Sequence, residues 1–560
     1  MESQTPVRLH AARTERTRIR RFFAGLLVVV AVLDIFEAMF AHHPLRDRAL
    51  EGLVPTGVSL GGRTATVVAG LALLLLARGI ARGKRVAWQL TVLVLAASAL
   101  VHLLKNLDFE EAVLALWVLL GLWWLRAHFQ ASSDPAALRR GLVTIGAAIA
   151  LALVYVFAGS WLLVHSFGGF ELAQPPPGAR LTYRARWFLD SIPIVAGALL
   201  LIGLLQLLRP VAGASAWTED RERSRSAVRR WGHNPVAWLS LQDGIHRFWA
   251  DSQAYVAYRV SRRVAVALGD PVAPPRRVSA VAAAFHEFCD RHDWVSSFYE
   301  VERPEVYRRL GYRLVPIGSD AVVLLATFTL AGRQSAHLRR ALHRSEREGV
   351  TFSFLPGPQA WDLEAEQLRN VSASWLRRGR GPEMSFSVGT LETLQEPEVT
   401  VGLAHGQDGR LLAFVSWLPI PGRDGWCLDL MRRRPDATWG VMEALITKSL
   451  EEAKRRGLAE ASLGLAPLAL EGLAGSRRLG ALRLLYGRLD RFRGSRSLRA
   501  FKAKFSPRWE PRYLAVPDAA LLPEVLAALL GVHLPRPLRL LTGFRTPRRA
   551  GPAERRVPAA

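Results

Sequence analysis

The sequence contains very little cysteine and lacks the common nucleotide-binding motifs. Its 560 residues include only Cys289 and Cys427, too few for a disulfide scaffold and in keeping with a reducing compartment. His286 and His292 flank Cys289 at spacings of three, but no fourth ligand of metal type follows closely, so the segment indicates an ordinary amphipathic helix. No Gly-x4-Gly-Lys-Ser/Thr loop and no Gly-x-Gly-x-x-Gly after a strand is present. We therefore expect no metal and no cofactor, and neither ATP hydrolysis nor dinucleotide binding is supported.

Lysine is almost as scarce as cysteine. The chain has 68 arginines but only six lysines, and Lys502 and Lys504 stand together in the segment FKAKFSPRWEPRYL at 501–514. An ammonium is a compact point charge that fits a tight site and can shift its pKa, whereas a guanidinium is a planar fork that stays charged. The pair is therefore a candidate for a site that needs lysine in particular.

Acidic residues are too few to balance the basic ones, and the formal net charge is +26. The first 215 residues carry +9 of this charge and the remaining residues carry +17. A domain this basic indicates a polyanionic partner, either nucleic acid or an anionic lipid surface. An arginine-rich genome would raise the arginine content without lowering aspartate and glutamate, so it does not account for the imbalance.

Long apolar runs are confined to the first part of the chain. Each has about the 20 residues that a bilayer core requires, and they lie at 22–40, 61–80, 87–104, 110–127, 141–165 and 191–208. Basic residues in the N-terminal tail and in the loops after the second and fourth runs place both termini in the cytoplasm. We predict a multi-pass domain of about six spans over 1–212 in the cell membrane, with five or seven spans as alternatives, and then a polar linker over 213–229.

The second part of the chain repeats one order of elements, hairpin, helix and strand. The first copy is predicted at 254–272, 278–292 and 294–301, and the second at 400–431, 439–456 and 459–468. Each hairpin ends in a short turn with an aspartate, Asp270 or Asp429. The order is typical of a duplicated α/β acyltransferase fold of the GNAT type, although many α+β domains share it.

Five separated motifs, in order, resemble the C-terminal catalytic domain of the multiple peptide resistance factors, the bacterial aminoacyl-phosphatidylglycerol synthases. The motifs are GDP (269–271), WLRRGRGPEMSFSVG (375–389), LDLMRR (428–433), LGLAPLA (463–469) and FKAKFSPRWEPRYL (501–514). The resemblance covers about residues 230 to 535. It implies a multispanning α-helical membrane domain followed by an α/β tandem GNAT-like acyltransferase domain, with subdomains at 230–345 and 346–535 and a basic tail at 536–560.

The resemblance also implies an activity. Members of this family move an aminoacyl group from charged tRNA to the headgroup hydroxyl of phosphatidylglycerol, which changes the charge of the lipid and the resistance to cationic antimicrobial peptides. We expect lysyl transfer at the cytoplasmic membrane face, with alanyl and arginyl transfer as alternatives and the oligomeric state open. One ester replaces another in this reaction, so no nucleotide hydrolysis is needed.

The resemblance assigns seven candidate site residues. The active-site positions are matched by Asp429, Arg432, Lys502 and Glu510, and the substrate-binding positions by Glu383, Lys504 and Arg512. A carboxylate, Asp429 or Glu510, would receive the α-ammonium group of the donor. A cation, Lys502 or Arg432, would face the lipid phosphate or the oxyanion of the tetrahedral state, and Lys504 would contact the tRNA backbone. Nothing in the sequence marks a Ser-His-Asp triad.

Two other functions stay open. The first is a GNAT enzyme that uses acyl-CoA, although the Arg/Gln-x-x-Gly-x-Gly/Ala loop of such enzymes does not follow Met431. The second is a lipid transporter or scaffold with an inert GNAT-like domain.

Overall fold

The structure of the protein is a computed structural model. It describes residues 5–40, 70–106, 109–129 and 131, isolated positions between 143 and 205, and residues 220–379, 384–467 and 495–533. The chain divides into two compact units. One comprises Met1–Ala214 and His286–Val295, and the other comprises Ser215–Phe285 and Ser296–Ala560.

The first unit is helical in its described part. Its helices are α1 (Thr5–Phe40), a stretch at 70–81, α2 (Arg85–Asn106) and α3 (Phe109–Trp124). Phe23, Leu27 and Ala31 are spaced by four residues, so they share one face of α1, and they are buried in one apolar cluster with Leu122 of α3.

No described helix is both long enough and apolar enough to cross a membrane. The predicted spans at 141–165 and 191–208 lie largely outside the described residues, as does the tail at 536–560. The six-span domain therefore stays a prediction.

The second unit is built on one sheet, of which eleven strands are described. They are β1 (His246–Trp249), β2 (Tyr255–Ser261), β3 (Val264–Leu268), β4 (Val295–Val301), β5 (Arg313–Leu324), β6 (Thr351–Pro356), β7 (Thr400–His405), β8 (Leu411–Ile420), β9 (Gly425–Arg433), β10 (Glu460–Pro467) and β11 (Arg508–Val516). The order across the sheet is β1-β2-β3-β4-β11-β5-β10-β9-β8-β7-β6.

Eight helices accompany these strands in the part of the chain described from residue 220 onward. They are α4 (Asp220–Trp231), α5 (Val278–Arg291), α6 (Pro304–Arg309), α7 (Ala336–Arg347), α8 (Gly357–Gly379), α9 (Val441–Arg455), α10 (Ser495–Ala503) and α11 (Leu522–His533). The first of them covers residues 220–229 of the predicted linker. Arg225 of α4 forms an ion pair with Glu396, and Arg229 forms one with Glu398.

The predicted order of hairpin, helix and strand is found in both copies, although the segment 400–431, predicted as one hairpin, contains the three strands β7, β8 and β9. The structure adds an exchange of strands. The order β2-β3-α5-β4-α6-β5 returns as β8-β9-α9-β10-α10-β11. The last strand of each copy pairs with a strand of the other copy: β5 pairs with β10, and β11 pairs with β4. Strands β5 and β11 also pair with each other in antiparallel orientation. The predicted subdomains 230–345 and 346–535 therefore share one sheet.

Helix α9 holds the strands of the second copy in place. Its buried residues include Leu445, Ile446 and Leu450, whose spacing gives the helix one apolar face. They join a core cluster with Trp417 of β8 and Leu428 of β9. Glu443 in the first turn and basic residues in the last turn suit the helix dipole.

Candidate active site

The candidate site lies where β9 and β10 separate. Along their described lengths these parallel strands pair from Gly425 and Glu460 as far as Cys427 and Ser462. Beyond that point β9 continues to Asp429, while β10 bulges at Gly464. The two strand ends therefore form the walls of an opening.

Asp429 occupies the β9 wall and has neutral hydrogen-bond donors. Its Oδ1 accepts from the Gly389 backbone N–H at 2.6 Å, and its Oδ2 accepts from the Ser416 hydroxyl at 3.3 Å. Burial raises the pKa of Asp429 to about 6, and the hydrogen bonds from Gly389 and Ser416 and the charge of Arg432 offset burial only in part. The carboxylate is therefore costly to ionise in the absence of a bound cation.

Gly389 is required by the close approach of this carboxylate. A Cβ added at residue 389 would lie 2.0 Å from Oδ2 of Asp429. Any side chain there would displace the Asp429 carboxylate from the N–H that holds it.

Lys502 occupies the β10 wall. Its Nζ donates to the carbonyl oxygens of Gly464 and Leu465, both at 2.9 Å, and the residue is 5% exposed. Burial lowers the pKa of Lys502 to about 8, although nearby acidic groups, Asp320 foremost, oppose the shift. An ammonium has three N–H groups, so one remains beyond the two contacts found within the described residues.

Gly464 connects the two walls. It has a φ of +79°, which favours glycine, and a Cβ there would lie 3.4 Å from the Leu428 carbonyl oxygen and 3.7 Å from Nζ of Lys502. The bulge therefore lies between the Leu428 carbonyl group, next to Asp429 in the chain, and the ammonium of Lys502.

Arg432 lies further along β9 and contacts α8. Its guanidinium donates to the Ser372 hydroxyl and stands 5.3 Å from the centroid of the Trp375 ring. The side chain is buried. Glu383 lies outside the described residues.

Glu510 and Arg512 of β11 belong to a network of ion pairs with Asp320 of β5 and with Glu302 and Arg423 in the connecting segments. One guanidinium nitrogen of Arg512 lies 2.9 Å from carboxylate oxygens of both Glu302 and Asp320, and 3.4 Å from Glu510. Glu510 is also 2.9 Å from Arg423. The charge of Arg512 is therefore already matched within the protein.

The pKa of Glu510 reflects these partners. Burial alone would raise it, but the hydrogen bond from Arg508 and the charge of Arg423 outweigh burial and hold the pKa below its ordinary value. Unlike that of Asp429, this carboxylate is already stabilised by cations of the protein itself.

Lys504 is directed away from Lys502. Its Nζ forms an ion pair with Glu443 of α9 at 2.7 Å, and a third of its side chain is exposed. The two lysines thus have different surroundings, one between buried carbonyl groups and the other at the surface.

The structure thus places Asp429 on β9 and the ammonium of Lys502 against the carbonyl groups of β10, and Glu510 and Arg512 in the charged network. The individual roles of the predicted residues stay predictions. Sequence reasoning missed Asp320, which is buried on β5 and also accepts from the Ser462 hydroxyl at 2.6 Å. The available signal was a lone acidic residue within the apolar segment VPIGSDAVVLL.

The described residues contain no group of three or more His, Cys, Asp or Glu side chains arranged to hold a metal ion. Both cysteines are buried, and burial raises the pKa of the Cys289 thiol.

Several known proteins are similar to this chain. The chain is 29% identical over 541 residues to an uncharacterized protein of Corynebacterium glutamicum, which covers 87% of this chain and 66% of that protein. It is 32% identical over 304 residues to the phosphatidylglycerol lysyltransferase of Bacillus subtilis, which covers 53% of this chain and 35% of that enzyme. The chain therefore spans from about a third to two thirds of the length of these relatives.

A solved structure, that of L-PGS from Bacillus licheniformis, superposes with a TM-score of 0.51 at 28% identity, and covers 56% of this chain and 95% of that one. The predicted GNAT-like fold of the second unit is thereby confirmed. Residues 225–516 match the family described as phosphatidylglycerol lysyltransferase, C-terminal. Because this match takes in more than half of the chain, the protein belongs to that family.

Proposed function

We propose that the protein transfers an aminoacyl group, lysyl foremost, from charged tRNA to the headgroup hydroxyl of phosphatidylglycerol. The observation that carries the proposal is the opening between β9 and β10. One wall of this opening holds a partly buried carboxylate that accepts hydrogen bonds from neutral groups, and the other holds a buried ammonium. Membership of the family supports the same reaction.

Asp429 is the residue that receives the α-ammonium group of the donor. Burial raises its pKa to about 6, so the carboxylate is less stable in the empty site than in water, and a bound cation would stabilise it. Glu510 is less suited to this role, because Arg423 and Arg508 already neutralise it.

Lys502 stabilises the developing oxyanion. Its ammonium is held in a fixed position by the Gly464 and Leu465 carbonyl groups. A donor fixed before the reaction needs no reorganisation when negative charge develops on the ester oxygen, and this lowers the barrier.

The reaction balances without any further reactant. The lipid hydroxyl oxygen forms a bond to the ester carbonyl carbon, and the bond from that carbon to the ribose oxygen of the tRNA breaks. The hydroxyl proton ends on the departing ribose oxygen, so one ester and one alcohol give another ester and another alcohol.

The first unit supplies a membrane-embedded anchor that keeps the second unit at the cytoplasmic face. Large apolar side chains are exposed on α1 and α3, among them Phe22, Phe36, Trp117 and Trp124. Exposed apolar surface of this kind suits contact with lipid. The net charge of +17 after residue 215 suits a tRNA donor.

The test is expression of the full chain in a bacterial host that makes no aminoacylated lipid, followed by mass analysis of the lipid extract. We expect lysyl-phosphatidylglycerol from the wild-type chain and a strongly reduced amount from Asp429→Asn. The matched control is Asp408→Asn, which alters an exposed carboxylate in the β7–β8 turn. An extract without any aminoacylated lipid, although the protein is present and folded, would overturn the proposal.

A further inference from the structure

Trp375 is an exposed aromatic residue near the end of α8. It is 42% exposed, although tryptophan is highly buried on average. It opens the motif WLRRGRGPEMSFSVG at 375–389, whose last residue supplies the Gly389 N–H to Asp429. A single exposed ring is common on protein surfaces. The position of the Trp375 ring relative to Asp429 therefore decides whether the ring has a use.

Arg432 joins the Trp375 ring to β9. Its guanidinium donates to the Ser372 hydroxyl, one helical turn before Trp375, and stands over the indole at 5.3 Å from the ring centroid. Arg432 is itself buried. A guanidinium is planar, always charged and stacks on aromatic faces. The contact therefore holds the ring against β9, while the rest of the ring surface stays open to solvent.

The carboxylate of Asp429 lies on the face of the sheet opposite the α9 core. Val415 and Trp417 of β8 both belong to the core cluster that includes residues of α9. Ser416 lies between them, and successive side chains of a strand point to opposite faces, so the Ser416 hydroxyl is on the other face. This hydroxyl donates to Oδ2 of Asp429 at 3.3 Å, which places the carboxylate on the same face as Ser416.

Arg432 reaches this face as well, because β9 bulges. Residues three apart on a regular strand point to opposite faces. On β9, three steps from Leu428 to Met431 stand opposite two steps on β8, and the extra residue shifts the alternation. Met431 packs against the α9 core cluster, so the next side chain, Arg432, points toward α8. At about 3.3 Å of rise per residue, the Cα atoms of Asp429 and Arg432 are at most about 10 Å apart.

The tRNA donor has a flat, unpaired ring close to its ester. A tRNA ends in an unpaired adenosine, and the ribose of this adenosine carries the aminoacyl group. With the α-ammonium group at Asp429, the ribose and the adenine can extend along β9 to the Trp375 ring. Proteins bind unpaired bases chiefly by stacking them on aromatic side chains and arginine planes. The ring and the guanidinium behind it have the chemistry for such a base.

The charge around the ring also suits nucleic acid. Trp375 is followed in the sequence by Arg377, Arg378 and Arg380, which match the negative charge of backbone phosphates. A lipid surface would call for a contiguous apolar patch. Among the described side chains of α8, the other large apolar residue that is exposed is Leu363, which lies about 18 Å from Trp375 along the helix axis. The surroundings therefore favour a single base over a membrane.

We propose that Trp375 binds the terminal adenine of the charged tRNA by stacking, and so positions the aminoacyl ester at Asp429. This proposal rests on the proposed function. The adenine undergoes no bond change during transfer, so stacking stabilises the bound donor and the transition state equally. Such an interaction contributes to KM and not to kcat. Trp375 is thus a donor-binding residue that takes no part in the chemical step.

The kinetic test uses full-length protein, lysyl-tRNA and phosphatidylglycerol vesicles. Trp375→Ala should raise KM for lysyl-tRNA about tenfold, in keeping with the loss of one stacked base, and should leave kcat within about twofold of wild type. Trp375→Phe keeps a flat ring and should stay within about threefold of the wild-type KM. The matched control is Leu363→Ala, which shortens an exposed apolar side chain of the same helix and should leave both constants unchanged.

The same measurements separate base stacking from other uses of the ring. If Trp375 only supported Arg432, folded Trp375→Ala would lower kcat at an unchanged KM for lysyl-tRNA. If the ring contacted the membrane, KM for phosphatidylglycerol would rise instead. Either result would overturn the proposal, as would a Trp375→Phe variant that loses as much affinity for lysyl-tRNA as Trp375→Ala.

Photocrosslinking tests the base position without any transfer reaction. Full-length protein is irradiated with uncharged tRNA whose terminal adenosine is replaced by 8-azidoadenosine, and the labelled peptide is identified by mass spectrometry. The label should lie on the peptide that contains Trp375, and it should be lost in Trp375→Ala but kept in Leu363→Ala. If this label is found while no transfer to phosphatidylglycerol occurs, the proposed function fails and the base site stands. Label elsewhere in the chain, or none at saturating tRNA, would overturn the base site.

Discussion

Asp429→Asn removes one charge and leaves the shape of the site unchanged. The asparagine Oδ1 can still accept from the Gly389 N–H, and its Nδ2 can donate to the Ser416 hydroxyl, so both present contacts have a substitute. What is lost is a charge-assisted hydrogen bond to the donor ammonium, worth about 1.5–3 kcal/mol. KM for lysyl-tRNA should therefore rise about 10- to 100-fold.

The assay pairs this variant with a donor that lacks the same charge. N-acetyl-lysyl-tRNA has no α-ammonium group, so wild-type protein should use it poorly, and Asp429→Asn should cause little further loss with it. The reasoning is refuted if Asp429→Asn raises KM equally for both donors, because the carboxylate would then act on something other than the α-ammonium.

A stability measurement on Asp429→Asn shows whether a loss of activity comes from a loss of folding. The pKa of Asp429 rises from 3.8 to about 6 on folding, so the native state binds more protons than the unfolded state between these values. The free energy of unfolding therefore falls as pH rises through this window. The total loss is roughly 3 kcal/mol, because each unit of pKa difference corresponds to about 1.4 kcal/mol. Asp429→Asn should melt above wild type at pH 8, and the difference should vanish near pH 4.

Three further outcomes are expected. Lys502→Ala should lower the single-turnover rate about 10²-fold or more. Lys502→Arg should not restore the rate, because a planar guanidinium does not fit where the Gly464 and Leu465 carbonyl groups hold an ammonium. A wild-type rate in Lys502→Arg would contradict this. Gly389→Ala should displace the carboxylate that lies 2.0 Å from the added Cβ and raise KM for lysyl-tRNA about tenfold, so an unchanged KM would show that the carboxylate does not bind the donor. Binding of tRNA to the full chain should weaken steeply between about 50 and 200 mM salt, and Lys504→Ala should weaken it further at constant kcat, whereas a flat salt response would exclude a phosphate-dominated interface.

The repeated order of elements was predictable because it depends on local patterns. The helix at 278–292 and the strand at 294–301 are found as Val278–Arg291 and Val295–Val301, since hydrophobic periodicity is a property of neighbouring residues. The exchange of β5 and β11 was not predictable from the sequence. Both strands carry similar apolar residues, and nothing local states which buried strand each will pair with.

The site residues, like the strands, could be predicted only where the signal lay in the local sequence. Lys502 could be singled out because lysine is rare in this chain. The lowered pKa of Glu510 could not be predicted, because it depends on the charge of Arg423, which lies 87 residues away in the sequence.

The most direct test of the central claim is a single-turnover transfer assay with purified full-length protein, lysyl-tRNA labelled in the lysine, and vesicles that contain phosphatidylglycerol. The account predicts that the label appears in an ester-linked lipid at a rate that falls sharply in Asp429→Asn and in Lys502→Ala, and not in Asp408→Asn. Label that stays on the tRNA in the presence of folded protein, or lipid that is modified only when acyl-CoA is supplied, would contradict it.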